Sequence, residues 1–183
     1  GTPLQAALTV VLVDSTIYLA AIALLEPHPF EGITLETLGV FAFAGAVGTA
    51  LGRIAIFAGN QRVGASISSA VLSARPLFAT ALAVGFIGEP LSLPTAVGIG
   101  VLVVGLGVLA VAKGGDLDGW QPRDLLVPLA AAAAFAVGNV TRRYGLEIGD
   151  ATPLEPVAVN EITALLALAA FLAATGRRDV LQK

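Results

Sequence analysis

The chain has 183 residues, of which 56% are apolar and 13% charged, and its mean hydropathy is +0.88. Soluble domains carry about 25% charged residues, so this composition predicts a membrane protein. The net charge of −3 argues against a nucleic-acid partner, and a single His without any Cys argues against disulfides, thiol chemistry and a metal site.

Apolar segments alternate with short polar turns along the whole chain. They lie at about residues 4–25, 37–59, 65–87, 93–112, 124–144 and 154–175. Each approaches the ~20 residues that a helix needs to cross a bilayer, and Pro and Gly inside such helices are ordinary in membrane bundles. We therefore predict an all-α, polytopic membrane helix bundle with six spanning helices.

The first two segments each carry an ionic residue. Asp14 lies near the midpoint of the first segment, and Arg53 lies close to the end of the second. The default expectation for Arg53 is that its side chain snorkels towards the lipid headgroups. Gly48 and Gly52, four residues apart, predict a face on which two helix backbones approach closely.

The third segment has Arg75 and Pro76 side by side near its middle. An Arg at that depth costs roughly 2.5–3.5 kcal/mol on insertion scales, so it should face the bundle interior or a wet cavity. Pro76 removes one backbone hydrogen bond and predicts a kink. The helix should stop at Gly88, because Glu89 precedes a Pro and avoids the α region.

The fourth segment is rich in glycine. Gly98 and Gly105 are separated by two helical turns, as are Gly100 and Gly107, so each pair shares a helix face. These faces predict smooth strips against which neighbouring helices pack.

The last two segments also contain polar residues. The fifth ends on Arg142 and Arg143, which predict an anchor at the membrane–water interface. Asn160 and Glu161 lie about a third of the way into the sixth segment. Glu161 is either a carboxylate in a central cavity or a partly solvated residue nearer the membrane face.

The stretch GASISSAVLSARPLFATALAVGFIGEP, followed by a Gly-rich helix, resembles the EamA-type half of the drug/metabolite transporter superfamily. Its hallmarks are a mid-membrane Pro, a Gly-Glu at the helix end and the Gly-rich helix that follows. Here these are Pro76, Gly88-Glu89 and the run from Gly98 to Gly107. The similarity is strongest over about residues 45 to 113.

The resemblance implies a ten-helix transporter fold built from two five-helix repeats. Counting helices from Gly88-Glu89, residues 1–115 would form a first EamA-like repeat lacking its first helix. Residues 116–183 would form the first two helices of the second repeat, so that the chain is a fragment. The family pattern and the positive-inside rule give opposite orientations in the membrane, and we adopt the family orientation.

The resemblance also implies a secondary transporter of the cell membrane, more often an exporter, for small metabolites such as amino acids. Asp14 and Arg75 are expected to face one midplane cavity, either paired or separately contacting a zwitterionic substrate. The alternative is a structural ion pair between them. Asn160 and Glu161 would add substrate contacts from the second repeat, and Pro76 would let its helix bend.

Two other classes of protein are alternatives to a transporter. A structural membrane subunit fits the Gly-rich helices, but the midplane charges would then be costly. A membrane enzyme would need a cluster of reactive groups, which the scattered polar residues do not form. We therefore expect no enzymatic activity and no cofactor. The expected partners are the lipid bilayer and a small-molecule substrate. The formation of a homodimer is possible and is left undecided by the sequence.

Overall fold

A computed structural model describes residues 3–31, 33–88, 90–112, 119–149 and 153–175, which are helical with short connections. The predicted repeat boundary at residues 115–116 and Glu89 lie outside the described residues. The six main helices are α1 (Pro3–Leu25), α2 (Leu35–Val63), α3 (Ala65–Phe86), α4 (Leu93–Ala112), α5 (Leu126–Ile148) and α6 (Leu154–Thr175). A short 3-10 turn, Pro122–Leu125, leads into α5.

Five helical segments are long and apolar enough to cross a membrane, judged by length and composition. They are Leu4–Leu25, Leu35–Val63, Ala65–Phe86, Pro122–Ile148 and Leu154–Ala174. Over its described side chains, α4 contributes a shorter apolar helix, Leu93–Val108. The predicted all-α, multi-pass membrane helix bundle is thus confirmed.

Helices α2 and α5 form the centre of the bundle. The middle of α2 packs against both α5 and α6, while α1 packs against α6 and the second half of α2. The second half of α3 lies along α5, and α4 sits at the edge, mainly against α3. The arrangement brings residues of α1, α2, α3, α5 and α6 around a common interior.

Two apolar clusters hold these helices together. The first includes Val11, Ala50 and Leu168, and therefore joins α1, α2 and α6. The second includes Val63, Val71 and Trp120, and joins the end of α2 and the first half of α3 to the segment that precedes α5.

Glycine permits the close approach of α2 to its two neighbours. A Cβ on Gly48 would lie 2.5 Å from the Cα of Gly138 on α5, and one on Gly45 would lie 2.2 Å from the carbonyl oxygen of Asn160 on α6. The contact predicted for Gly48 is confirmed. The same stretch, Ala44–Leu51, forms wide π-helical turns, which occur frequently at functional sites.

The glycines of α4 have a different environment. A Cβ on Gly98, Gly100, Gly105 or Gly107 would meet no atom within 4 Å. Among the described residues, the neighbours predicted for these faces are therefore not found.

Helix α3 is interrupted near its middle. One helix ends at Leu72, two turn residues follow, and a second helix, Arg75–Leu82, begins with Pro76 in its first turn. Pro is well tolerated there, because the first N–H groups of a helix have no intrahelical partner. The helical run ends at the left-handed Gly88 (φ 76°), as predicted.

Candidate functional site

A cavity of about 310 Å³ lies among the helices of the bundle, within the size range of small-molecule sites. Five helices contribute to its wall. The lining residues are Tyr18, Thr49, Arg53, Arg75, Phe135, Asn139, Arg142, Val157, Asn160 and Glu161. Most of these side chains are polar or ionic, in contrast to the apolar surface of the bundle.

Asp14 and Arg53 form an ion pair between α1 and α2. The Nη2 atom of Arg53 lies 2.5 Å from Oδ2 of Asp14 and 3.9 Å from Oε2 of Glu161. The expected snorkelling of Arg53 is wrong, because α2 continues to Val63 and places Arg53 roughly 15 Å from the helix end at 1.5 Å per residue. Its guanidinium therefore turns towards the carboxylates inside the bundle.

Asn160 connects three helices through its amide. Its Nδ2 donates to Oγ1 of Thr49 (2.9 Å) and to Oε1 of Glu161 (3.0 Å), while its Oδ1 accepts from Nη1 of Arg142 (3.1 Å). Asn160 is only 1% exposed. Because both amide N–H groups and the carbonyl are used, the orientation of this side chain is well determined.

Arg142 also turns inward, so its prediction as an interfacial anchor is wrong. Helix α5 continues to Ile148, roughly 9 Å beyond Arg142 along the helix axis. Its guanidinium donates to the amide oxygens of Asn160 and Asn139. Within the described residues, no carboxylate lies within ion-pairing distance of it.

Arg75 lines the same cavity from α3, with its guanidinium carbon 5.6 Å from the centre of the Phe135 ring. This distance is within the range of a cation–π interaction. Of the two expected arrangements, an ion pair between Arg75 and Asp14 is not observed, because the Asp14 carboxylate binds Arg53 on the neighbouring helix. Within the described residues, Arg75 has no ion-pair partner.

Glu161 is nearly enclosed, with a residue exposure of 8%. Its Oε1 accepts the hydrogen bond from Asn160, but its buried Oε2 accepts none from the described part of the chain. Since buried carboxylate oxygens normally have donors, this oxygen is a candidate contact for a bound solute. Glu161 therefore faces the cavity; the alternative of a position at the membrane face is not observed.

Two further cavities adjoin the first along α5. One, of about 430 Å³, is lined by Ser73, Arg75, Pro76, Ala79 and Asn139. The next, of about 330 Å³, shares Ala79 and Asn139 and extends to Arg143. Asn139 lines all three cavities, so they lie next to one another beside α5 and together mark a candidate route.

The structure thus brings together three of the predicted substrate contacts: Arg75, Asn160 and Glu161. Asp14 does not line the cavity and reaches it only through Arg53. Pro76 lines the adjoining cavity. Contact of a substrate with Asp14, Arg75, Asn160 or Glu161 stays a prediction.

Several lining residues were missed in the sequence, above all Arg53 and Arg142. An available signal was the length of the surrounding helices. Extending the second and fifth apolar segments to the next helix-ending signals would have placed both arginines well inside the bundle. Thr49 and Asn139 carried no comparable signal, because short polar side chains are common in membrane helices.

The comparisons with known proteins agree with the architecture. A sequence model of the EamA-like transporter family matches residues 2–111. None of the curated proteins and none of the solved structures matches the chain. The family match spans more than half of the sequence, including α1, α2, α3 and most of α4. The chain therefore belongs to the EamA-like transporter family and is a multi-pass membrane protein.

Proposed function

We propose that the chain is part of a secondary transporter that exports small metabolites, such as amino acids, across the cell membrane. The observation that carries this proposal is the cavity between the helices, lined by ionic groups in an otherwise apolar bundle. Ionic residues in membrane helices are expensive and mark solute pathways by default. Family membership supports the same general function.

The assignment of substrate contacts follows from the cavity wall. Arg75, Asn160 and Glu161 would contact the solute directly. Asp14 would act as a positioning residue, because it holds the Arg53 guanidinium at the wall. In this proposal, residues 1–115 and 116–183 belong to two repeats, and both contribute to the site, as in transporters that bind substrate between repeats.

The interruption of α3 supports alternating access. The turn at Ser73 and Ala74 separates two half-helices beside the cavities, and Pro76 lies in the first turn of the second half-helix. Discontinuous helices form the binding sites of several transporter classes. We infer that tilting the second half of α3 relative to α5 opens and closes the route.

Replacing Arg75 with Ala tests this function. We expect export from proteoliposomes loaded with a deproteinised metabolite extract to fall to the level of protein-free liposomes, because a charged contact with the solute is lost. Arg62→Ala is the matched control, since Arg62 is exposed in the last turn of α2 and outside the cavities described above. Export at the wild-type rate by a normally inserted Arg75→Ala protein would overturn the assignment. No export by the wild type, together with a stable protein partner in a pull-down, would instead indicate a structural subunit.

Cysteine labelling tests the route, because the chain contains no native Cys. Asn139→Cys should react with a water-soluble methanethiosulfonate reagent, since the thiolate forms only where water reaches it. Val101→Cys is the control: it is 67% exposed on the bundle surface but expected to face hydrocarbon. Equal labelling of both positions, or none at residue 139, would contradict an aqueous route beside α5.

A further inference from the structure

We propose that the solute is a small carboxylate of net negative charge, with its carboxylate bound between Arg75 and Arg142 and a hydroxyl or ammonium group donating to Glu161. This inference rests on the proposed transport function and specifies its substrate class. Three observations carry it: the charge balance of the cavity, the two arginines without carboxylate partners, and the unused oxygen of Glu161.

The cavity has an excess of positive charge. Three guanidinium groups line it, those of Arg53, Arg75 and Arg142, whereas Glu161 is its only carboxylate among the described lining residues. Asp14 lies behind the wall and neutralises Arg53. The balance of three positive and two negative groups leaves one positive charge, which is costly away from water. A monoanion would neutralise it, while a cation would increase it.

Arg75 and Arg142 are the available anion-binding groups. Arg75 contacts the face of Phe135, and Arg142 donates to two neutral amide oxygens. Neither has an ion pair within the described residues. A guanidinium offers several N–H donors in a planar fork that matches a carboxylate. These two side chains enter the cavity from α3 and α5, so a bound carboxylate would also join the moving half-helix to the bundle centre.

Glu161 selects a second feature of the solute. Its Oε2 is buried and accepts no hydrogen bond from the described atoms, although Arg53 is 3.9 Å away. A solute hydroxyl or ammonium group would supply the missing donor and relieve the cost of an unpaired buried acceptor. Acidic amino acids and hydroxycarboxylates combine such a donor with net negative charge, and the volume of about 310 Å³ suits molecules of that size.

The first experiment identifies the charge class without assuming a substrate. Proteoliposomes containing the intact protein are loaded with a deproteinised metabolite extract, and the exported compounds are identified by mass spectrometry. We expect the exported compounds to be mainly carboxylates with net negative charge. Export of neutral or cationic compounds would overturn the inference and leave the transport function standing. No export at all would overturn the transport function.

The second experiment measures binding of isosteric probes to the purified protein by equilibrium dialysis. L-Glutamate should bind more tightly than L-glutamine, and Arg75→Gln should weaken L-glutamate binding about tenfold or more, because one of the two guanidinium groups that face the carboxylate is lost. Arg62→Gln, which removes an equal charge outside the cavities described above, should leave binding unchanged. Equal binding of both probes, or no binding of L-glutamate, would overturn the inference.

The donor contact is tested with L-lactate and propionate, two monoanions that differ by one hydroxyl group. The wild type should prefer L-lactate, and Glu161→Gln should reduce that preference, because an amide is a weaker acceptor than a carboxylate. Binding of each monocarboxylate should remain, since Arg75 and Arg142 are unchanged. An unaltered preference in Glu161→Gln would contradict the contact with Glu161.

Discussion

Replacing Asp14 with Ala is expected to lower the free energy of unfolding by more than the ~1 kcal/mol typical of an exposed ion pair, and to abolish transport. The Asp14 and Arg53 side chains are partly buried, at 32% and 22% exposure, and removing one partner of such a pair leaves the other charge uncompensated inside the bundle. Here the remaining charge would be that of Arg53, whose side chain is 22% exposed between α1, α2 and α6. Its only other carboxylate contact in the described structure is Glu161, at 3.9 Å.

The double variant Asp14→Leu/Arg53→Met separates structure from function. Replacing both partners of a buried pair by apolar residues is often neutral, so this variant should regain most of the lost stability. If the ion pair only holds α1 and α2 together, the double variant also regains transport. If Asp14 positions Arg53 at the cavity wall, the protein folds but does not transport. Unfolding is measured in detergent, and export is measured in proteoliposomes.

Glu147→Ala is the control for the Asp14 variants. Glu147 pairs with Arg143 on the exposed side of α5, where the Nε–Oε1 distance is 3.2 Å and both side chains are more than 60% exposed. Exposed pairs contribute about 0–1 kcal/mol, so this variant should stay close to the wild type. A loss as large as that of Asp14→Ala would show that the detergent, and not the Asp14–Arg53 pair, governs the measured stability.

Replacing Gly45 with Ala is expected to destabilise the bundle by about 1–3 kcal/mol or more, the usual cost of overpacking. The added Cβ would lie 2.2 Å from the carbonyl oxygen of Asn160, a distance that Cβ atoms do not adopt. Because the obstacle is backbone, α2 and α6 must move apart. The hydrogen bonds of Asn160 to Thr49 and Arg142 would lengthen, so the cavity wall should be disturbed as well.

Gly39→Ala on the same helix is the matched control. A Cβ there meets no atom within 4 Å, and alanine favours helix over glycine by about 1 kcal/mol, so stability should be unchanged or higher. The melting temperature in detergent and the binding of L-glutamate are measured for both variants. Wild-type values for Gly45→Ala would mean that α2 and α6 are not in the close contact described here.

The general fold followed from local properties of the chain. Summed hydropathy over about 20 residues decides whether a segment enters a membrane, so the spans were predictable without knowledge of their neighbours. Arg75, Asn160 and Glu161 were identified for the same reason, since polar groups inside apolar segments require a wet or polar interior. Gly88 similarly marked the end of α3 through its backbone conformation.

The ends of the second and fifth helices were predicted less well, and this error changed the site. These two apolar windows ended about four residues before α2 and α5 do, because a helix continues through polar residues when neighbouring helices supply partners. Arg53 and Arg142 were consequently assigned to interfaces, whereas both donate to acceptors inside the bundle. Within the apolar window alone, an arginine near its end carries no signal that separates these positions; only the full length of the helix does.

The sequence by itself determined that this protein is a multi-pass helical bundle carrying a few costly charges. Only the tertiary structure decided that Asp14 forms an ion pair with Arg53, that Asn160 links α2, α5 and α6, and that Arg75 and Arg142 line the same cavity. The physical reason is that membrane insertion depends on the composition of each segment, whereas charge pairing depends on the rotation and depth of several helices at once. Contacts such as that of Gly48 with Gly138 set those rotations, and they join residues far apart in the chain.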